Sequence, residues 1–281
     1  MKRKDTAKCR NVWCEIDSVF CKGDVNVSKV VACYKWVADE ADLRIDADLS
    51  VDFSRVKGKI SDYDKNAIAE AVNIATAWGE KAVGLTFGTA KAKQSVKDAL
   101  SRGLEEGYWI NADEAADADG AAVAKALAAV IQRIDDVGLV VCAEGASDTF
   151  ARQVPSRIGA VLDWPVVTSV MKIEIAGNGL MTVRRLDDCM QTVKVQLPAV
   201  IAVLPEINTP PIPGLKAVMA AAKKPVHEFK GGDLGINFTP KTKAVEFKGY
   251  VMARKNVIFK EGEAADKVRE LAAALRKEGV L

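Results

Sequence analysis

Histidine is nearly absent from this chain: His227 is the one example in 281 residues. A Ser-His-Asp or Cys-His triad has only that residue to be built on, and a multi-histidine metal site is excluded. His227 stands in Pro225-Val226-His227-Glu228, away from any nucleophile motif, and reads as a surface or packing residue. An excess of either charge is also lacking. Forty Lys and Arg against 38 Asp and Glu leave a formal charge of +2, whereas a nucleic-acid binder carries a clustered basic face and a pI above about 9. No apolar run reaches the roughly 18–20 residues that a membrane span requires. Glycine-rich phosphate signatures are missing too. With neither G-x-G-x-x-G nor G-x-x-x-x-G-K-[ST] in the chain, a standard dinucleotide fingerprint and a Walker loop are both ruled out.

Cysteine is present but unpatterned. Cys9, Cys14 and Cys21 fit no paired C-x2-C zinc arrangement. Cys33, Cys142 and Cys189 sit singly in apolar or strand-like segments, as reduced core thiols do. The early segment has no secretory apolar region, and Glu15, Asp17 and Asp24 oppose a transit peptide, so a reducing cytoplasm is expected. Lys22-Gly23-Asp24 is encodable as AAA-GGA-GAT, a purine-rich ribosome-binding sequence, and a GTG codon at Val27 would then be a start. Residues 1–26 are therefore expected to be an extension outside the domain, arising from a mis-assigned start.

From Lys29 a regular pattern begins. Val30-Val31-Ala32-Cys33-Tyr34 predicts a buried first strand, and residues 42–56 alternate as a hairpin would. Ser61-Asp62 offers a cap for a helix over 63–78, stopped by Gly79. Strands at 82–87, 108–110 and 138–142 alternate with helices at 90–101 and 117–133. This is the rhythm of βαβ units and a mostly parallel sheet with helices on both faces. Beyond Pro165, residues 166–175, 180–186 and 191–204 predict an antiparallel appendage, with Gly177-Asn178-Gly179 as its turn. A proline cluster precedes a short helix at 215–219, and an Ala/Leu helix is expected at 263–277.

In such sheets ligands bind beyond the carboxyl ends of the strands, where strand order reverses. The segments to weigh are therefore 33–35, 61–64, 87–89 and 143–154. In the last of these Gly145 would let a backbone approach a ligand, and Ser147, Asp148 and Thr149 lead into a helix ending near Leu162. A helix N-terminus suits a phosphate; equally, Ser147 or Asp148 simply caps that helix. The residues alone leave both open. The proline cluster is likewise either a connector or a projecting recognition loop.

From about Lys29 to Gly235 an ordered series of motifs resembles one known family. Ala32-Cys33-Tyr34-Lys35 ends the first strand, and Lys59-Ile60-Ser61-Asp62-Tyr63-Asp64-Lys65-Asn66-Ala67-Ile68 opens the first helix. Ser147-Asp148-Thr149 with Gln153 lies in the long loop, and Leu162-Asp163-Trp164-Pro165 closes its helix. Leu197-Pro198-Ala199-Val200 and Ile207-Asn208-Thr209-Pro210-Pro211-Ile212-Pro213 follow, with Ala221-Ala222-Lys223-Lys224-Pro225 last. In this order they resemble the β subunit of electron transfer flavoproteins, most closely the FixA type.

The resemblance implies a Rossmann-like adenine-nucleotide-binding domain over 27–225 and an arm over 226–281 that contacts an α subunit. It implies no bond chemistry in this chain. The αβ heterodimer would carry electrons between flavin dehydrogenases of the acyl-CoA type and a downstream acceptor such as a quinone oxidoreductase. The redox-active FAD would be held mainly by the α subunit, with AMP, or FAD in bifurcating members, in this one. Carried over by position, the nucleotide contacts are Cys33, Ser61, Asp62, Tyr63, Asp64 and Phe87. With them go Ala143, Glu144, Gly145, Ala146, Ser147, Asp148, Thr149, Phe150, Ala151, Arg152, Gln153 and Val154. Pro210, Pro211, Ile212, Pro213 and Gly214 would present Leu215 as the anchor in a dehydrogenase pocket. Two departures stand out. Val183-Arg184-Arg185-Leu186 lacks the glutamate of the family's Val-x-Arg-Glu stretch, unless Asp187 or Asp188 replaces it. Ala146-Ser147-Asp148-Thr149 replaces Asp-Gly-Asp-Thr, which favours AMP. The competing readings are a stand-alone adenine-nucleotide-binding regulatory module, like a stress protein, and a nucleotide hydrolase. The second lacks the carboxylate cluster it would need.

Overall fold

A computed structural model describes residues 13–14, 29–177, 179–251 and 254–281. The expectation for 1–26, apart from Trp13 and Cys14, and the Asn178 position of the hairpin turn lie outside the described residues. The chain divides into two compact units. One comprises Met1–Arg44 and Asp52–Glu246, the other Ile45–Val51 and Phe247–Leu281.

The larger unit is built on a ten-stranded sheet. Its strands in chain order are β1 (Trp13–Cys14), β2 (Lys29–Cys33), β3 (Lys81–Gly88), β4 (Glu106–Asn111), β5 (Val137–Ala143), β6 (Val166–Ala176), β7 (Gly179–Arg185), β8 (Met190–Gln196), β9 (Ala199–Val203) and β10 (Val226–Lys230). Across the sheet they run β1-β8-β7-β6-β9-β5-β2-β3-β4-β10. All neighbours from β6 to β10 in that order are parallel. The near-continuous Val/Ile/Leu runs of β2, β5 and β9 follow from this, because a central parallel strand is covered on both faces.

Two core layers share these strands by the two-residue alternation of a pleat. Val30, Ala32, Leu139 and Val141 pack on the layer formed with helix α1 (Asp62–Trp78) and helix α2 (Lys93–Ser101). Val31, Cys33, Val140 and Cys142 pack on the opposite layer, with helix α3 (Gly120–Ile131) and helix α4 (Val154–Leu162). Helix α1 starts after Ser61 and stops at Gly79, whose φ of 74° lets its N–H reach back to Ala75 and Thr76. Asp119 caps α3 by accepting from Ala121 and Ala122, and its other oxygen accepts from the Lys241 and Thr242 amides. Those N–H donors lower its pKa to about 2.

The fold refines four expectations. The β-rich stretch 191–204 is two strands, β8 closing an antiparallel meander with β6 and β7, and β9 inserted between β6 and β5. The helix expected over 117–133 is α3 at Gly120–Ile131, preceded by a 3-10 turn at Asp113–Ala116. Helix α4 starts at Val154, since Phe150 and Arg152 have positive φ and Pro155 fixes the first turn beyond them. Past residue 225, β10 pairs with β4, and the larger unit continues to Glu246. His227 lies in β10 with its ring on Tyr108, centroids 4.8 Å apart.

In the smaller unit, helix α6 (Ala264–Lys277) is amphipathic, and Lys255 pairs with Glu278 at 2.5 Å. Backbone pairing there includes Gly249 N–H to the Leu49 carbonyl at 2.7 Å.

Ile201 of β9 is fully buried in the layer beneath α1. Ile201→Ala should lower the unfolding free energy by about 2–5 kcal/mol, read as a lower urea midpoint with an unchanged slope.

Candidate functional site

Strand β2 connects through α1 to β3 on one side, while β5 enters on its other side. Their carboxyl ends are therefore the switch point at which a crevice opens, because the connections leave in opposite directions. The residues after β2, the first turn of α1 and the loop after β5 meet there.

Ser61 joins two of these segments. Fully buried, its Oγ accepts from the Ser147 backbone N–H at 3.1 Å. Asp64, three residues on and buried, accepts from the Lys35 N–H at 2.7 Å. The Lys35 ammonium reaches across to Asp148, 2.5 Å from Oδ2. Burial raises the Asp64 pKa to about 7, with the Asp148 charge adding to the rise and the Lys35 N–H and ammonium opposing it. Cys33 of β2 and Cys142 of β5 are buried in the core layer of α3 and α4. A hydrogen bond with Cys33, then burial, pushes the Cys142 thiol up.

The loop after β5 is held by a second buried carboxylate. Glu144 takes two bonds from the Arg152 guanidinium, the Nε one at 2.9 Å. It also accepts from the Ser169 N–H at 2.7 Å and the Ser169 hydroxyl at 3.1 Å. Ser169 has φ of +58°, an unfavourable conformation for a residue with a Cβ, and these bonds compensate for it. Phe150 covers Gly145, where an added Cβ would come within 2.9 Å of the ring, and packs on Tyr63 with centroids 5.2 Å apart. The room at Gly145 is thus taken by Phe150. The Ser147 hydroxyl is buried with no hydrogen-bond partner, an arrangement that protein interiors rarely leave unexplained.

The structure brings Ser61, Asp64, Ser147 and Asp148 together with Lys35 in one set of hydrogen bonds, and Tyr63, Phe150, Arg152 and Glu144 into a second set of ring and ion-pair contacts. Others go elsewhere. Asp62 pairs with Lys59 and Lys65 at 2.8 and 2.6 Å. The Phe87 ring stacks on Phe238, 5.6 Å between centroids, and Cys33 and Phe87 both point into the core layer of α3. Gln153 accepts from Arg157 at 3.1 Å at the start of α4. Leu186, with Arg185, Glu144, Phe150, Arg152 and Ser169, lines a cavity of about 220 Å³. Sequence reasoning weighed Lys35 within segment 33–35 but left it out of the nucleotide contacts carried over by resemblance. It also missed Ser169, whose role depends on a backbone conformation that its residue type does not announce.

Pro210, Pro211, Ile212, Pro213 and Gly214 form the connection into helix α5 (Leu215–Ala221). Ile212 is 94% exposed and Leu215 76%, large apolar side chains presented to solvent.

A raised folded-state pKa means that the native protein holds a proton the unfolded chain has released. The contribution of Asp64 is therefore full below about pH 4 and is lost as pH rises through about 7. Asp64→Asn, which keeps an acceptor for the Lys35 N–H, should flatten this decline. Unfolding by urea at pH 4 and pH 8 measures it, with the wild-type loss exceeding the variant's.

Among the described residues, no helix is long and apolar enough to cross a membrane, and no three His, Cys, Asp or Glu residues form a metal-binding group. A family model of the electron transfer flavoprotein domain matches residues 48–234, which include the first turn of α1, the loop after β5 and the proline-rich connection. With two thirds of its length matched, and with this doubly wound sheet and its switch-point crevice, the chain belongs to the electron transfer flavoprotein domain family.

Proposed function

We propose that this chain is the β-type subunit of a cytoplasmic electron transfer flavoprotein heterodimer, that it holds a structural adenine nucleotide in the switch-point crevice, and that it docks a flavin dehydrogenase through Leu215. The family is flavin-associated and works with partner subunits and dehydrogenases. The observation that carries the nucleotide assignment is the buried, unpartnered Ser147 hydroxyl in that crevice. A ribose hydroxyl or phosphate oxygen would supply the missing partner. Cys33 and Phe87 direct their side chains into the core, so their contacts with the nucleotide would be through backbone groups. Ser147, Asp148 and Lys35 would meet its polar groups, with the Tyr63–Phe150 pair offering aromatic surface nearby.

AMP is the proposed occupant, from Ala146-Ser147 in place of Asp-Gly in the loop. The flavin that accepts and donates electrons when bound would be held mainly by the α subunit. This chain's own residues bind and orient; none is assigned a bond-making step. The smaller unit supports an α-subunit contact, because Tyr250, Val257, Ile258 and Val268 are 61–82% exposed, more isolated apolar surface than a free helix and tail normally show.

Extraction of the purified heterodimer should yield one AMP and one FAD. Two FAD and no AMP would reassign the crevice. Ser147→Val should lower the AMP recovered while leaving FAD in place. Leu215→Ala should raise the KM for the heterodimer in dehydrogenase turnover at least tenfold with both nucleotides retained; unchanged kinetics would remove the anchor role.

A further inference from the structure

The proline-rich connection is fixed at its root by two asparagines. Asn66, buried in the second turn of α1, donates through Nδ2 to the Pro205 carbonyl at 3.0 Å and the Asn208 carbonyl at 2.8 Å. Asn208 answers through its own Nδ2, donating to the Asn66 carbonyl at 3.1 Å and to Glu70 Oε2 at 2.9 Å. The two side chains thus hold each other's backbone, and the buried Glu70 carboxylate completes the clasp. At the far end, Ala221 is buried in the core layer and the Lys224 ammonium donates to the Leu104 carbonyl at 2.6 Å. Between these fixings the chain carries three prolines and, among the described residues, residues 209–213 make no hydrogen bond.

A strap of this kind has its direction set largely where it leaves the protein, because proline limits its internal freedom. Helix α1 is the bar to which it is tied, and the same helix contributes Ser61 and Asp64 to the crevice. We infer that Asn66 and Asn208 are positioning residues for partner docking: their reciprocal clasp aims the strap so that Ile212 and Leu215 are presented in the orientation that a dehydrogenase pocket accepts. The inference rests on the docking role proposed for Leu215. With the clasp open, the strap would sample several directions, and the fraction competent to dock would fall, weakening the apparent affinity in proportion. Electron transfer within the docked complex would be untouched, since neither asparagine reaches the partner.

The test uses the αβ heterodimer and, as probe, a purified acyl-CoA dehydrogenase reduced by its acyl-CoA and turned over by the wild-type heterodimer. Asn208→Ala should raise the KM for the heterodimer about tenfold, the loss of a buried hydrogen-bond pair, with kcat within twofold and AMP content unchanged. In the Leu215→Ala background the same change should add less than twofold, because the two act through one contact. If Leu215→Ala raises KM and Asn208→Ala does not, the clasp inference fails and the docking reading stands. If Leu215→Ala itself leaves KM unmoved, the docking reading fails. A lower melting temperature for Asn208→Ala with unaltered KM would also overturn the clasp, leaving a purely structural role. Asn208→Asp, which sets a carboxylate against Glu70, is the second variant should Asn208→Ala not accumulate folded, and the same split of KM from kcat is expected of it.

Discussion

After β2 the chain steps through β3 and β4 to one side, and after α3 it returns to lay β5 along the other side of β2. That reversal requires two adjacent parallel strands to send their continuations apart. In sheets of this kind the opening at such a reversal lies beyond the carboxyl ends of the diverging strands. Ser61 and Asp64 are in the crevice because an antiparallel pairing of Trp36–Ala38 with Gly58–Ile60 brings the chain back beside Lys35 before α1 begins; Ser147 and Asp148 are there because the loop after β5 must cross the same gap. The whole candidate site depends on this switch.

Two buried carboxylates stabilise the region in opposite ways. Glu144 is matched by the Arg152 guanidinium and two donors from Ser169, so its charge has partners on several sides. A buried charge is tolerable only when its lone pairs are met in this manner. Asp64 has the Lys35 amide and a lysine already paired with Asp148 to oppose its burial, and burial raises its proton affinity. The first carboxylate fixes the loop backbone. The second retains its proton up to about pH 7.

The family to which the chain belongs is flavin-associated, and in flavoproteins the cofactor supplies the redox chemistry while the protein binds and orients it. Ile212 and Leu215, two strongly exposed apolar side chains of the larger unit, stand on a strap fixed at both ends. In the proposed docking role, that mounting would keep the ordering cost of binding a partner low.

The sequence by itself determined the alternation of strands and helices, the two-faced burial of β2 and β5, and the family, because each depends on local periodicity or on motifs contiguous in the chain. It also pointed to 61–64 and 143–154 as neighbours, since strand ends in such a sheet share one edge. Only the tertiary structure decided that Phe150 packs over Gly145 and on Tyr63, that Asp62 turns to Lys59 and Lys65, and that α4 waits until Val154. The first and last of these depend on left-handed backbone at Phe150 and Arg152, which their residue types do not announce. The Asn66–Asn208 clasp is of the same kind. Neither asparagine is unusual in its own segment, and what joins them is a separation of 142 residues closed by the packing of α1 on the sheet.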